Sequence, residues 1–541
     1  RARTILESQV KAEQDGTDAR TLKRAHHSHR EAQLLLALVY AFYGEAEAAF
    51  RAAEAGIAIG QRLDSPFVTA VGYMRLGHAW LIRSESDAHL RAIECFKQAI
   101  ALGDAVAVRR TRVEAQWGLC RAFGFHGDLS AAEGAAALGV KIGRRSGDRW
   151  VVAIIELTLG ANYVLAGRYA EAAEMLNQVA ATFRDCSDSY GHTAARLWLG
   201  LAYLRLGQDK RLVQNMAKLL ELTESHGYDH LFTRRALLGP PDNRILVPLL
   251  LQARRHGRRP ATASRLLEQI GLSDVEFHPG YQLRIQTLGP FRVWRGSEEI
   301  DAREWRRSKA RQLFQLFLTH RGRLLQREEI VDLLWPDLDP EAVQRDFKVA
   351  LNALNKALEP DRPAGAEPAY VTRHGTTYGL RPGADFWLDS EAFQRLVDQG
   401  NHLSKDPEAC ANAYQNALAL YQGEYLQDAL YEDWASEERE RLLALYLRTA
   451  EKLAAVRLDQ GRYDEAISLC RRILARDACW ERAYRLMMAA YALQGNRPRA
   501  LRTYQTCQET LQEELDAQPG PSTQHLHQQI LNGTPVENWS V

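Results

Sequence analysis

The sequence predicts a mainly α fold in three parts: a superhelix of helical hairpins, a small α+β module, and a second set of helical repeats. Three observations carry this. A motif centred on a small residue recurs at steps of 40, 41, 42 and 40 through the first half. Near residue 283 the periodicity changes from helical to alternating, and three helical segments and a hairpin follow. A second motif recurs at a step of 34 towards the end.

The small residues of the first part are Ala37, Gly77, Gly118, Gly160 and Gly200, set in runs such as Leu159-Gly160-Ala161-Asn162-Tyr163 and Leu199-Gly200-Leu201-Ala202-Tyr203. Each run leads through a turn into a second amphipathic segment, most clearly Gly167-Arg168-Tyr169 before Ala170-Glu171-Ala172-Ala173. A small residue lets the second helix approach closely, and the large residues beside it fill the contact. One hairpin cannot bury its apolar face, whereas a stack of them can. The pattern resembles tetratricopeptide repeats of a long variety, over roughly residues 30–225. Residues 1–270 therefore read as a tetratricopeptide-like superhelix. Residues 271–281 read as a linker.

In residues 282–383 the apolar positions Leu283, Ile285, Phe291 and Val293 alternate with polar ones, and Gly296-Ser297 marks a turn. Helical segments are predicted over 308–319, 326–334 and 340–358. Two strands flanking His374-Gly375-Thr376 then form a Gly-tipped hairpin. Strands, three helices and a hairpin, in that order, make a winged helix-turn-helix. From about residue 384 to 541 the chain is helical again, and Gly461-Arg462-Tyr463 recurs as Gly495-Asn496-Arg497.

Composition excludes several classes. The chain has 541 residues, 46% hydrophobic and 25% charged, which is the make-up of globular domains. The apolar run Leu34–Tyr43 is too short to span a bilayer, so no membrane partner is expected. Seven scattered cysteines, never spaced C-x-x-C, fit a reducing cytoplasm and give no metal site. The net charge of +1 hides an asymmetry: residues 282–383 hold 17 basic and 14 acidic side chains, and 385–541 hold 16 and 24. A basic module thus precedes an acidic one.

The segment 340–359 carries the most chemistry. At 100° per residue, Phe347, Ala350, Leu351, Leu354 and Leu358 share one side. Arg345, Lys348, Asn352, Asn355 and Lys356 share the other. Arg and Lys suit guanine O6 and N7, and Asn suits adenine N6 and N7, so this face fits a major groove. In a winged helix the third helix takes that position. Arg373, His374 and Thr376 then fall on the wing. Arg306, Arg307, Lys309 and Arg311, at the first helix, are expected phosphate contacts, which orient a protein without reading sequence.

These residues carry a family resemblance. Leu288-Gly289-Pro290-Phe291-Arg292-Val293, Arg307-Ser308-Lys309-Ala310-Arg311-Gln312-Leu313, Leu333-Leu334-Trp335-Pro336-Asp337 and Val349-Ala350-Leu351-Asn352-Ala353-Leu354 resemble SARP-type transcriptional activators. Tyr421-Gln422-Gly423-Glu424-Tyr425-Leu426 and Glu513 to Pro521 continue the likeness, which covers about 282–533. The resemblance implies an OmpR-like winged helix followed by a bacterial transcriptional activator domain, here 384–541. It implies binding of double-stranded promoter DNA, commonly at direct repeats, with self-association there and recruitment of RNA polymerase. The loop bearing Trp335, Asp337 and Asp339 is where OmpR-like proteins can touch polymerase. The wing departs from the family in reading Tyr378-Gly379-Leu380-Arg381.

The repeat region resembles that of MalT-like STAND regulators. It is expected to receive an inducer ligand or a signalling protein on its concave face. No G-x-x-x-x-G-K-[ST] loop is present. With Arg1 as first residue, an NTPase upstream is the matching expectation. Two other readings differ in class: a repeat scaffold whose winged helix contacts protein, and the output half of an ATP-dependent switch.

Remaining signals are weak. His26, His27 and His29 read as a solvated turn rather than a metal site. Arg254-Arg255-His256-Gly257-Arg258-Arg259 reads as a solvated helix end, with an added phosphate contact as the alternative. G-x-S-x-G and H-E-x-x-H are absent. No catalytic residue, metal or cofactor is assigned, and the chain does not read as an enzyme.

Overall fold

The recurring small residue sits where two helices touch. A Cβ on Gly77 would lie 2.7 Å from the Phe96 ring, and one on Gly118 would lie 2.2 Å from it. Phe96 thus fills a slot that glycine leaves open on both sides. The structure, a computed structural model, describes residues 2–14, 32–85, 87–105, 109–257, 259–273, 275–336, 339–403 and 406–535. The chain divides into two compact units, 1–281 and 282–541. The histidines at 26, 27 and 29 lie outside the described residues.

The first unit stacks five helical hairpins. Their first helices are 32–43, Pro66–Leu81, Arg109–His126, Arg149–Leu165 and Ser189–Arg205. Their second helices are Ala46–Arg62, Ala88–Ala105, Leu129–Arg145, Tyr169–Asp185 and Asp209–His226. Starts are set by side-chain caps: Asp148 accepts from the Val151 N–H, and Asp188 accepts from the Gly191 N–H. Polar groups bridge successive first helices inside the stack. The Trp117 indole donates to Thr158 Oγ1 at 2.8 Å, and Asn162 donates to the Cys120 carbonyl at 2.9 Å.

This superhelix closes on itself. After the fifth hairpin the segment 231–243 runs back across the first helices, burying Leu231, Phe232, Ala236, Leu237 and Leu238. Trp198 donates to the Leu238 carbonyl, and Leu237 N–H donates to the Ala41 carbonyl at 3.0 Å. Arg121 is buried. It donates to the carbonyls of Ala236 and Gly239 and stacks on Phe125. Tyr190 reaches the Phe42 carbonyl at 2.7 Å. Segment 231–243 thus bonds to residues of the first, third and fifth of the first helices.

The stretch 271–281, expected as a linker, is tied down within this unit. Arg254 donates to the carbonyls of Ser273 and Val275, and Arg255 donates to that of Glu276. Both arginines lie in the last turn of helix Val247–His256, as the sequence suggests, with Arg255 exposed, and they hold backbone as well.

The second unit opens with β1 (Leu283–Gln286), β2 (Arg292–Arg295) and β3 (Glu298–Glu299). Next come α1 (Ser308–Thr319), β4 (Leu325–Gln326), α2 (Arg327–Leu334) and α3 (Pro340–Leu358). The wing is β5 (Val371–His374) and β6 (Thr377–Leu380), and β7 (Phe386–Leu388) returns to the first sheet. That sheet has the order β3-β2-β1-β7, with β1 antiparallel to β2 and parallel to β7. The second sheet is β4-β6-β5. Phe314, Phe317, Phe347 and Leu354 fill the core between them.

Helices α4 (Asp389–His402), α5 (Pro407–Leu420), α6 (Ser436–Asp459), α7 (Tyr463–Leu474), α8 (Glu481–Leu493), α9 (Arg497–Leu515) and α10 (Pro521–Asn532) complete the unit. They are fused to the winged helix. Segment 424–427 pairs with 287–289: the Leu426 N–H donates to the Thr287 carbonyl at 2.8 Å, and the Gly289 N–H donates to that of Glu424 at 3.0 Å. Arg321 bridges Glu391 and Glu438 at 3.0 and 3.2 Å.

Candidate nucleic-acid interface

Helix α3 is built to present one face. Pro340 takes its first position, where a missing N–H costs nothing, and Asp339 caps the Ala342 N–H at 3.0 Å. Its inner face docks through Phe347, which meets the Trp335 ring edge-on at 6.3 Å and the Tyr378 ring at 4.9 Å. The far end is fixed twice. Arg295 donates to the Ala357 carbonyl and pairs with Glu304 at 2.6 Å. Buried Glu359 accepts from the N–H groups of Ala369 and Tyr370, which lead into the wing. Burial pushes the Glu359 carboxyl above the usual range, against the pull of those hydrogen bonds and of Arg362 at 3.3 Å.

The outer face carries Arg345, Lys348, Asn352 and Lys356, all exposed. Arg345 is 75% exposed, with Asp346 as a loose neighbour at 3.8 Å. Gln344 is exposed on the same side, close in angle to Lys348. The sequence reading missed it, although a carboxamide four residues before Lys348 was its signal.

Asn355 corrects the expectation. It is buried, because the last turn of α3 is covered nearly all round: Ala353, Leu354, Ala357, Leu358 and Glu359 are buried with it. Helical periodicity predicts an outer face only while one side of the helix meets solvent. Lys356 stays exposed but folds back onto the Pro360 carbonyl.

The wing turns at Gly375, whose φ is +60°. His374 and Thr377 form its last pair. Arg373 and His374 are exposed. Arg373 bonds the Gly375 carbonyl at 2.8 Å and lies over the Tyr378 ring. Thr376 Oγ1 donates to Gln326 at 2.9 Å, tying the wing tip to the start of α2.

The cations expected at the first helix are split. Lys309 donates to the Leu334 carbonyl and sits 5.7 Å from the Trp335 ring centroid. Arg311 pairs with Asp428 at 2.5 Å and donates to the Phe291 carbonyl at 2.8 Å. Both are engaged within the protein, which differs from the phosphate role expected of them. Arg306 and Arg307 remain exposed, at a cleft against β2. In the loop before α3, Trp335 is buried between Lys309 and Phe347, so its ring is not on offer to a partner. Asp339 is exposed, and Asp337 lies outside the described residues.

Among the described residues no group of three or more His, Cys, Asp and Glu is arranged to hold a metal ion. No helix of theirs is long and apolar enough to cross a membrane.

Residues 388–531 match the bacterial transcriptional activator domain. The chain is 29% identical over 256 residues to the regulatory protein AfsR of Streptomyces coelicolor, covering 47% of this chain and 25% of that one. It is 29% identical over 241 residues to the transcriptional regulator RedD of the same organism, covering 43% of this chain and 66% of that one. The chain therefore spans about a quarter of AfsR. Among solved structures, Mycobacterium tuberculosis EmbR in complex with a low-affinity phosphopeptide aligns at 19% identity and a TM-score of 0.43, covering 48% of this chain and 67% of that one.

Proposed function

We propose, from the premise that a bacterial transcriptional activator domain stands behind a winged helix as in SARP-type regulators, that the chain is a sequence-specific DNA-binding transcription factor. One observation carries the proposal. The outer face of α3 offers Arg345, Lys348 and Asn352, together with Gln344, with Asp346 3.8 Å from Arg345. Cations and carboxamides are the side chains that read base edges in a major groove.

In this reading α3 enters the groove, and the wing residues Arg373 and His374 lie along the backbone. Arg345 and Lys348 face guanine, and Gln344 and Asn352 face adenine. The activator domain and the exposed part of the 335–339 loop contact RNA polymerase. Two copies bind side by side on tandem sites. The helical-repeat unit receives the controlling signal.

The test is selection of bound fragments from random duplex DNA with the full chain, beside Asn352→Ala, at two salt concentrations. The expected result is one recovered motif, relaxed at a single base position by the substitution. Binding without a motif and with steep salt dependence would mean phosphate contact alone. No binding would favour a winged helix used for protein contact.

A further inference from the structure

A cleft of about 610 Å³ lies on the second unit between β2, the start of α1 and the turn at 428–429. Its size is that of a site for a small organic molecule. We propose that it binds a small aromatic carboxylate.

The walls suit a flat apolar body. Phe291, Val293, Ile300 and Trp305 line it, and the Phe291 and Trp305 rings stand 6.2 Å apart at 44°. The mouth suits an anion. Four guanidinium groups line the cleft against the two carboxylates of Glu299 and Asp428. Asp428 is neutralised by Arg311 at 2.5 Å, and Glu299 faces Arg292 at 3.7 Å. Arg306 and Arg307 are left, exposed and without a carboxylate partner among the described residues. They flank the first turn of α1, whose cap residue Arg307 supplies no side-chain bond to its amides.

The wall also holds buried polar groups. Gln315, 2% exposed, lines the cleft. Gln312 spends its amide nitrogen on Glu432 at 3.0 Å, and its buried oxygen has no partner. A buried carboxamide oxygen without a partner is costly, and a ligand with a polar edge would satisfy it. Gln312 and Gln315 line the same cleft as the aromatic wall, Arg306 and Arg307. A molecule seated there touches both the winged helix and the activator domain. The inference does not depend on DNA binding.

The test uses the full chain and three probes: naphthalene-2-carboxylate, naphthalene-2-carboxamide and inorganic phosphate. Binding is read by equilibrium dialysis and by saturation-transfer NMR. The carboxylate is expected to bind saturably, with the carboxamide about tenfold weaker for loss of charge-assisted hydrogen bonds. Phosphate should not displace it. Arg306→Gln with Arg307→Gln, both on the surface, should weaken the carboxylate about tenfold and leave the carboxamide unchanged. Gln315→Leu should weaken both; if it does not fold, the arginine pair decides alone. The proposal is overturned by lack of saturable carboxylate binding, by binding indifferent to the arginine substitutions, or by displacement with phosphate at equal concentration.

Discussion

Asp389 accepts three hydrogen bonds from Thr287, two from its backbone N–H at 2.8 Å and one from its hydroxyl at 2.6 Å. It also accepts from the N–H groups of Leu288 and Ser390, each at 2.8 Å. Burial pushes its carboxyl above the usual range, and these bonds oppose that. The residue fastens the first helix of the activator domain to the first strand of the winged helix. Asp389→Ala strands several buried donors and should cost about 3–5 kcal/mol. A urea denaturation series measures this; an unchanged midpoint would show that the fastening is not needed.

Two asparagines on α3 should behave differently. Asn352 is exposed and Asn355 is buried. Asn352→Ala should lose about 1–3 kcal/mol of binding to the selected site and almost none to random DNA. Asn355→Ala should leave specificity intact. Equal loss on both DNAs for Asn352→Ala would remove its base-reading role.

Salt dependence separates cations that meet phosphate from those that do not. Arg373→Ala on the wing should lower the slope of log K against log salt by about 1. Arg311→Ala should leave the slope alone, because its charge is spent on Asp428. A titration from low to moderate salt with each variant gives the two slopes.

Buried histidines make the first unit acid-labile. His78 is fully buried against Phe96 and Trp117, and burial holds its pKa well below 6.5. Burial brings His230 to about 4. Each is neutral when folded, while the unfolded chain takes up the proton near pH 6.5. Stability is therefore complete above that pH and falls as pH drops towards 4, by about 1.4 kcal/mol per unit for each histidine. Thermal melts of the full chain across this window should show the decline. His78→Met should flatten it.

Much of this was legible from residue order. The 40-residue recurrence located the first helices because close helix contact demands a residue without bulk, as Gly77 and Gly118 show around Phe96. Asp339-Pro340 marked the start of α3, and Gly375 marked the wing. Pairings between distant residues left no periodic trace. Asp389 with Thr287, and Arg311 with Asp428, are more than a hundred positions apart, and nothing in either segment names its partner. Asn355 was misplaced for the same reason: a helical projection knows one helix and not what covers its last turn. The segment 231–243 carried a break at Gly239-Pro240 but no sign that it would cross the first helices.

That crossing changes how the repeat unit can move. An open solenoid behaves as a spring: each repeat feels its two neighbours, ends fray first, and a small change of pitch adds up along the array. Here Tyr190 of the last hairpin is bonded to Phe42 of the first, and Leu237 to Ala41. With both ends pinned, pitch cannot drift and no repeat frays alone. Such an array yields all together or not at all, and its closing contacts, joined across 148 and 196 residues, form late and slowly.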